Sequence, residues 1–171
     1  MQIQIDEGYQ LAITKHIESL RSGNRYAPYD WNTSLNEVLN ARLTGNITTR
    51  RVRSDFWWRK NGIDNFISLK TVQPNIDQTS IAKEDCLYLT IGVRDCNAYF
   101  GLPYNPYGER KEDYAHNPPM RIFNFHRDSV VLIGREMWDT IGGLGCYDIL
   151  LNIAEQVGHE TRNEIAKMRR F

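Results

Sequence analysis

Residues 54–72, SDFWWRKNGIDNFISLKTV, decide the fold because they predict a β-hairpin of defined register. Asn61-Gly62 is the strongest short signal for a two-residue hairpin turn, whose central residues must both adopt positive φ. β-branched and aromatic residues, which favour strands, lie on both sides of it. This turn predicts that Lys60 pairs with Ile63, and that pair fixes every other pair of the hairpin.

The predicted register brings an acid and a lysine together. Asp55 falls directly across from Ser68, and Lys70 lies diagonally from Asp55 on the same face, because side chains alternate along a strand. The opposite face is predicted to be buried, and its apolar residues are Val52, Phe56, Trp58, Ile63, Ile67 and Leu69.

Length and composition predict one compact domain over residues 1–171. No apolar run approaches the roughly 20 residues that cross a bilayer, and the amino terminus lacks a secretory layout. We therefore expect a cytoplasmic protein with no membrane association. The three cysteines are widely spaced, which favours reduced thiols over a zinc site.

The charge is balanced overall but not locally. The 21 basic and 21 acidic residues give a formal net charge of zero, which argues against coating nucleic acid by bulk electrostatics. Five basic residues nevertheless bracket the hairpin: Arg50, Arg51, Arg53, Arg59 and Lys60. They predict a positive field around the site, or a solvated strand edge that uses charge to prevent aggregation.

Apolar spacing predicts helices before the hairpin. A stripe runs from Tyr9 to Leu20, and Ser34 with Glu37 matches a capping box that would begin a second helix. Glu37 has a second interpretation as an extra acid beside the predicted site.

After the hairpin, residues 76–85 predict a short helix and residues 86–93 a strand, which together form a crossover. Residues 99–120 predict a long ordered loop, and residues 130–133 another strand. A turn around Gly143 precedes two further predicted helices, one ending at Gly158 and one covering residues 161–170.

The order helix, antiparallel hairpin, helix and strand, with an acid on one hairpin strand and Ser-x-Lys on the next, resembles the PD-(D/E)XK nuclease core. This resemblance implies an α/β fold with a restriction-endonuclease-like core, in which helices flank a mixed central β-sheet. Phosphodiester hydrolysis uses carboxylate-bound Mg²⁺, a positioned water and a nearby cation. Asp55 would hold the metal, and Lys70 would orient or activate the water.

Ser68 stands where the PD-(D/E)XK pattern usually has a carboxylate. One branch of the superfamily has a serine there and a glutamate moved to the following helix. Glu84 follows Lys70 by 14 positions and would supply this second metal ligand. Asp77 and Asp85 are less favoured alternatives. The competing interpretation of Glu84 is a solvated residue at a helix end.

The blocks SLKTVQPNID, LPYNPYG and VVLIGREMWDTIGGLGCYDILL resemble TdeIII-like type II restriction endonucleases over approximately residues 55–157. The resemblance implies cleavage of double-stranded DNA at a short specific sequence with Mg²⁺. It further implies a homodimer whose symmetry mirrors a palindromic site, and a cognate DNA methyltransferase.

Amide, hydroxyl and guanidinium side chains near the predicted site are candidates for DNA contact. One group follows Lys70, and a second lies in or after the loop at Tyr104, where a rigid structural turn is the alternative. The candidates are Arg53, Gln73, Asn75, Gln78, Asn105, Tyr107, Arg110 and Lys111, with Arg121 as a further basic residue.

Two other functions compete with cleavage. A catalytically inactive DNA-binding or regulatory protein on a nuclease fold would account for Ser68. A structural domain without any nucleic-acid role would fit the balanced charge, and it predicts no salt-dependent affinity for DNA.

Overall fold

The structure is a computed structural model that describes residues 1–168 in two compact units, Met1–Ile133 and one beginning at Gly134. The first unit is an α/β fold. Its elements in chain order are β1 (Gln2–Asp6), α1 (Glu7–Arg21), α2 (Trp31–Leu39), β2 (Ile47–Arg51), β3 (Phe56–Lys60), β4 (Ile63–Leu69), α3 (Ile76–Gly92), β5 (Cys96–Leu102) and β6 (Val131–Ile133). The single domain predicted over residues 1–171 stays a prediction, and residues 169–171 lie outside those described.

The predicted hairpin is confirmed. Asn61 and Gly62 have φ of 54° and 81°, as the turn requires. Lys60 pairs with Ile63, and the pairing continues without a bulge to the other end of β3. The register deduced from the turn is therefore the register of the structure.

The predicted burial of one hairpin face is only partly correct. Val52 and Ile67 are buried, but Phe56 and Ile63 are 45% and 40% exposed. β4 lies between β3 and β5 and is covered on both faces from Asn65 to Ser68, whereas β3 is an edge strand. Alternation of side chains predicts one buried face, but a strand in the interior of a covered sheet is buried on both faces.

The central sheet is mixed, as predicted. Its order is β3-β4-β5-β6, with β3 antiparallel to β4 and the other pairs parallel. Helix α3 makes the crossover between the parallel strands β4 and β5. Strands β1 and β2 form a separate antiparallel pair.

The predicted boundary within residues 76–93 is wrong. One helix, α3, runs through to Gly92, so the expected strand over residues 86–93 is helical. Cys86 to Leu89 are all buried, and periodicity cannot separate a fully buried helix from a strand. The next strand, β5, begins at Cys96 and occupies part of the segment expected to be a loop. Glu84 consequently lies in the middle of a helix.

The predicted capping box of the second helix is also wrong. α2 begins earlier, and its N-cap is Asp30, whose side chain accepts a hydrogen bond from the Thr33 amide. Ser34 is buried inside the helix. The Glu37 carboxylate lies 2.8 Å from Nδ1 of His16 instead of capping the helix.

A buried lysine links three segments of the first unit. The fully buried Lys83 amine donates hydrogen bonds to the Tyr29 carbonyl, the Ser34 hydroxyl and the Ile122 carbonyl at 2.7, 2.7 and 2.6 Å. Burial lowers its pKa to about 7, against the opposing charge of Asp128. We call this arrangement the Lys83 cluster.

The second unit contains α4 (Arg135–Gly142) and α5 (Cys146–Met168). The predicted turn between them is confirmed, with φ of 93° at Gly143 and 87° at Gly145. α5 continues through Gly158, so the two predicted helices are one. Arg169 and Arg170, the end of the last predicted helix, lie outside the described residues. No helix among residues 1–168 combines the length and apolarity that crossing a membrane requires.

Candidate active site

The hairpin positions Asp55 and Lys70 at the same end of β4. The Asp55 amide donates to the Ile67 carbonyl at 2.9 Å, which extends the ladder one residue before β3. Its Oδ2 accepts a hydrogen bond from the Leu69 amide at 2.7 Å. The Lys70 amide donates to the Gly101 carbonyl of β5 at 3.0 Å. Backbone pairing therefore holds both residues in place.

Three oxygens surround the Lys70 amine. Its Nζ donates to Oγ of Ser68 at 2.8 Å and to the Leu69 carbonyl at 3.0 Å, and it lies 3.4 Å from Oδ2 of Asp55. The Lys70 side chain is 20% exposed and that of Asp55 is 51% exposed, so the pair lies at an open edge of the sheet. The predicted proximity of Asp55, Ser68 and Lys70 is confirmed, while their catalytic roles stay predictions.

Glu84 is held by an arginine of β2. Its Oε1 accepts a hydrogen bond from Nη2 of Arg50 at 3.3 Å, and only 19% of its side chain is exposed. A partly buried, paired residue in mid-helix differs from the solvated helix-end residue that was the competing interpretation.

Asp85 interacts electrostatically with the lysine. Burial, and then the charge of Glu84, raises the pKa of Asp85 to about 6. The charges of Arg50 and Lys70 and a hydrogen bond with the Arg53 backbone oppose this rise. A raised carboxyl pKa beside a cationic partner is a recurrent feature of functional sites. Asp77, by contrast, pairs with Arg21 at 2.6 Å and lies about 12 Å along α3 from Asp85.

The carboxylates of Asp55, beside Lys70, and of Glu84 and Asp85, on α3, are of the donor type that suits a hard divalent cation. Asp55, Glu84 and Asp85 offer only carboxylate oxygens, which Mg²⁺ prefers. Among residues 1–168, no group of three or more histidine, cysteine, aspartate or glutamate side chains is arranged to hold a metal ion. Mg²⁺ commonly binds one or two carboxylates and completes its shell with water and substrate phosphate, so the residues present fit this ion.

The predicted DNA-contacting residues after Lys70 make structural contacts. Asn75 and Gln78 form the capping box of α3, with reciprocal bonds of 2.8 and 3.0 Å. The Gln73 amide donates to the Tyr107 hydroxyl at 2.8 Å. Arg53 is exposed and lies beside Asp85.

The predicted loop residues also have internal partners. The Asn105 side chain bonds to the Arg110 carbonyl and the Tyr107 amide at 2.7 and 3.0 Å. The Arg110 guanidinium is 3.3 Å from Asp113. The Lys111 amine donates to the carbonyls of Asp128 and Val131. This part of the loop therefore has the rigid structure that the alternative interpretation expected.

Comparison with known proteins decides the family. The family "Type II restriction endonuclease, HinfI" matches residues 1–158. This chain belongs to that family. Relatives from Herpetosiphon aurantiacus are similar along almost the whole chain: the type II restriction enzymes HgiEI and HgiBI are each 27% identical over 98% of it, and HgiCII is 25% identical over 95%. The chain spans 61% to 62% of the length of these relatives. No solved structure matches.

Membership of this family confirms the type II restriction endonuclease part of the resemblance. The sequence also predicted the proximity of Asp55 and Lys70 correctly, while the assignment of the second metal ligand to Glu84 stays a prediction. The Lys83 cluster had no sequence signal, since its acceptors come from segments far apart in the chain.

Proposed function

We propose that this protein is a Mg²⁺-dependent endonuclease that cuts double-stranded DNA at a specific sequence, built on a PD-(D/E)XK core. The observation that carries the proposal is the Lys70 amine 3.4 Å from the Asp55 carboxylate, at the open end of β4. The order of hairpin, crossover helix and parallel strand supports the core, and the family supports the activity.

Asp55 has the role of a metal ligand. Its Oδ2 is oriented by the Leu69 amide, and half of its side chain is exposed to an incoming phosphate. Bound Mg²⁺ would supply charge for a non-bridging phosphate oxygen. Lys70 orients the attacking water and stabilises negative charge that develops on the phosphate. Ser68 fixes the amine through its hydroxyl.

Helix α3 supplies the second carboxylate of the proposed site. The spacing from Lys70 favours Glu84, but Arg50 already pairs with that carboxylate. Asp85 interacts with the charge of Lys70 and is partly buried. We therefore assign the metal-facing role to Asp85, with Glu84 beside it to fix Arg50.

We also propose that the protein works as a homodimer and with a DNA methyltransferase. A restriction enzyme that reads a palindrome does so as a two-fold symmetric homodimer, and it works in the cytoplasm with a cognate DNA methyltransferase that protects the host sequence. The TdeIII-like resemblance remains part of this proposal.

A second candidate is a DNA-binding protein on the same fold that does not cut. It is favoured by Ser68 in place of a carboxylate and by the Arg50 contact of Glu84. Cleavage assays separate this candidate from the nuclease.

The test is incubation of supercoiled plasmid DNA with the protein and Mg²⁺. We expect discrete fragments that disappear with EDTA. Binding of duplex DNA without fragments, in Mg²⁺ or Mn²⁺, would select the non-cutting protein, and absence of both would reject a nucleic-acid function.

A further inference from the structure

A trough lies beside the segment that follows Lys70 in the chain. A cavity of about 600 Å³ is lined by Gln73, Asn75, Ile76, His116, Asn117 and Arg121. A second cavity, of about 470 Å³, is also lined by Asn117 and Arg121, so the two cavities are neighbours. We call the two cavities together the amide trough.

The lining of the amide trough contains no aspartate or glutamate. Amide, imidazole and guanidinium groups supply its polar atoms, and the second cavity adds Asn24, Arg25 and Asn124. Acids and bases are equal in number in the whole chain, so this lining is a local departure from its composition. Asp77, the acid in the first turn of α3, pairs with Arg21 and does not line either cavity. The trough therefore suits a ligand rich in acceptor atoms.

The trough lies close to Lys70 along the chain. Gln73 follows Lys70 by three residues, which span at most about 10 Å even when fully extended. Successive phosphates of one DNA strand advance by roughly 3.4 Å along the helix axis. A phosphate at Lys70 therefore lies within about three base-pair steps of Gln73, where the trough comes nearest to Lys70 along the chain.

The two side chains that both cavities share retain hydrogen-bonding capacity. Asn117 makes no side-chain hydrogen bond among the described residues, and Arg121 makes one, from Nη2 to the Arg21 carbonyl at 2.9 Å. Gln73 and Asn75 are already bonded to Tyr107 and Gln78, so they form the wall of the trough. Free amide and guanidinium groups are the side chains that pair with adenine and guanine edges.

We propose that the amide trough reads base edges beside the scissile phosphate, with Asn117 and Arg121 as specificity-determining residues. This inference rests on the proposed function and assigns its base recognition to positions other than the loop at Asn105 and Arg110. The ligand is duplex DNA that offers acceptors in the major groove.

The experiment first sequences the ends of plasmid fragments cut by the wild-type protein, which defines the site. Short duplexes with that site, and with each single base-pair change, then give kcat/KM for the wild type, Asn117→Ala and Arg121→Ala. Arg127→Ala is the matched control, because Arg127 is exposed and lines neither cavity. Asn117→Ala removes no internal bond, so it reports recognition even if Arg121→Ala alters folding.

We expect each variant to lose discrimination at one base pair by about 5- to 150-fold, while Arg127→Ala keeps the wild-type ratios. Unchanged ratios in both variants would overturn the inference and leave the nuclease intact. An equal loss of kcat/KM on every duplex would also overturn the inference, since that pattern indicates that the side chains contact phosphates and not bases. If the wild-type protein binds DNA without cutting it, Kd is measured in place of kcat/KM, on duplexes selected from a random pool. If the wild-type protein binds no duplex, both the proposed function and the role of the amide trough are rejected.

Discussion

Two lysines 13 positions apart have similar partners and different surroundings. Lys70 and Lys83 each lie among three oxygen atoms at hydrogen-bond or ion-pair distance. Lys83 is fully buried, and its three acceptors come from two distant regions of the chain, residues 29–34 and Ile122. Lys70 is partly exposed, and its partners all belong to one hairpin.

The comparison teaches that exposure, rather than the number of partners, separates a candidate catalytic lysine from a structural one. A buried ammonium with all three donors occupied has no capacity left for a substrate. An ammonium at an open strand end can exchange one partner for a phosphate oxygen or a water. The variants below test this distinction, beginning with the largest expected effect.

Lys70→Met is expected to lower kcat/KM for plasmid cleavage about 1,000-fold, which corresponds to roughly 4 kcal/mol of transition-state stabilisation. Thermal unfolding should change little, because the amine is near the surface. Lys15→Met, at an exposed position of α1, is the control. Equal cleavage by the Lys70 and Lys15 variants would remove Lys70 from the mechanism.

Lys83→Met is expected to lower the free energy of unfolding by about 3 kcal/mol, because buried oxygens lose their donor. Urea denaturation measures this loss, with Lys15→Met again as the control.

The Lys83 cluster also has a pH signature. Its folded-state pKa, near 7, is below the ordinary value of 10.5, so the unfolded state binds more protons between these limits. The free energy of unfolding should therefore rise with pH across that window in the wild type, and Lys83→Met should lack this contribution. Matching pH profiles would contradict a buried titrating lysine.

Asp85→Asn is expected to lower kcat/KM at pH 7.5 about 100-fold, and more than Glu84→Gln does. Since the pKa of Asp85 is raised to about 6, its carboxylate is ionised above that pH and protonated below it. The kcat/KM of the wild-type protein should fall by about tenfold per pH unit below pH 6. The kcat/KM of Asp85→Asn should not show this fall. A larger loss in Glu84→Gln would return the metal-facing role to Glu84.

Ser68→Ala is expected to have the smallest effect, a loss of about 10-fold in kcat/KM, since it removes one hydrogen bond to a charged amine. Ser54→Ala, which changes a hydroxyl bonded to backbone carbonyls of the same hairpin, is the comparison. Equal rates in these two variants would show that the Ser68 hydroxyl does not position Lys70.

How far the sequence predicted the molecule depended on the range of the interactions. The Asn61-Gly62 turn and strict alternation fixed the hairpin, so the proximity of Asp55 and Lys70 could be predicted from neighbouring residues. The secondary structure of residues 86–93 could not be predicted, because a fully buried apolar run has no periodicity that distinguishes a helix from a strand. Asn75 and Gln78, which the sequence predicts to contact DNA, form the capping box of α3, and their contact with DNA stays a prediction.

Recognition was the least predictable part of the candidate site. Asn117 and Arg121 reach the trough through a segment whose position is fixed by packing, including Tyr114 stacked on Phe125 and bonded to the Val72 carbonyl. The bond between Tyr114 and Val72 joins residues 42 positions apart, and no short sequence pattern encodes it.

The most direct test of the central claim is single-turnover cleavage of supercoiled plasmid by Asp55→Asn in Mg²⁺. The substitution keeps an oxygen that can accept the hydrogen bond of the Leu69 amide, but it removes the charge that would hold the metal. We expect at least about a 1,000-fold loss of cleavage, with an unchanged melting temperature and undiminished binding of duplex DNA. Cleavage at the wild-type rate by a folded Asp55→Asn protein would contradict it.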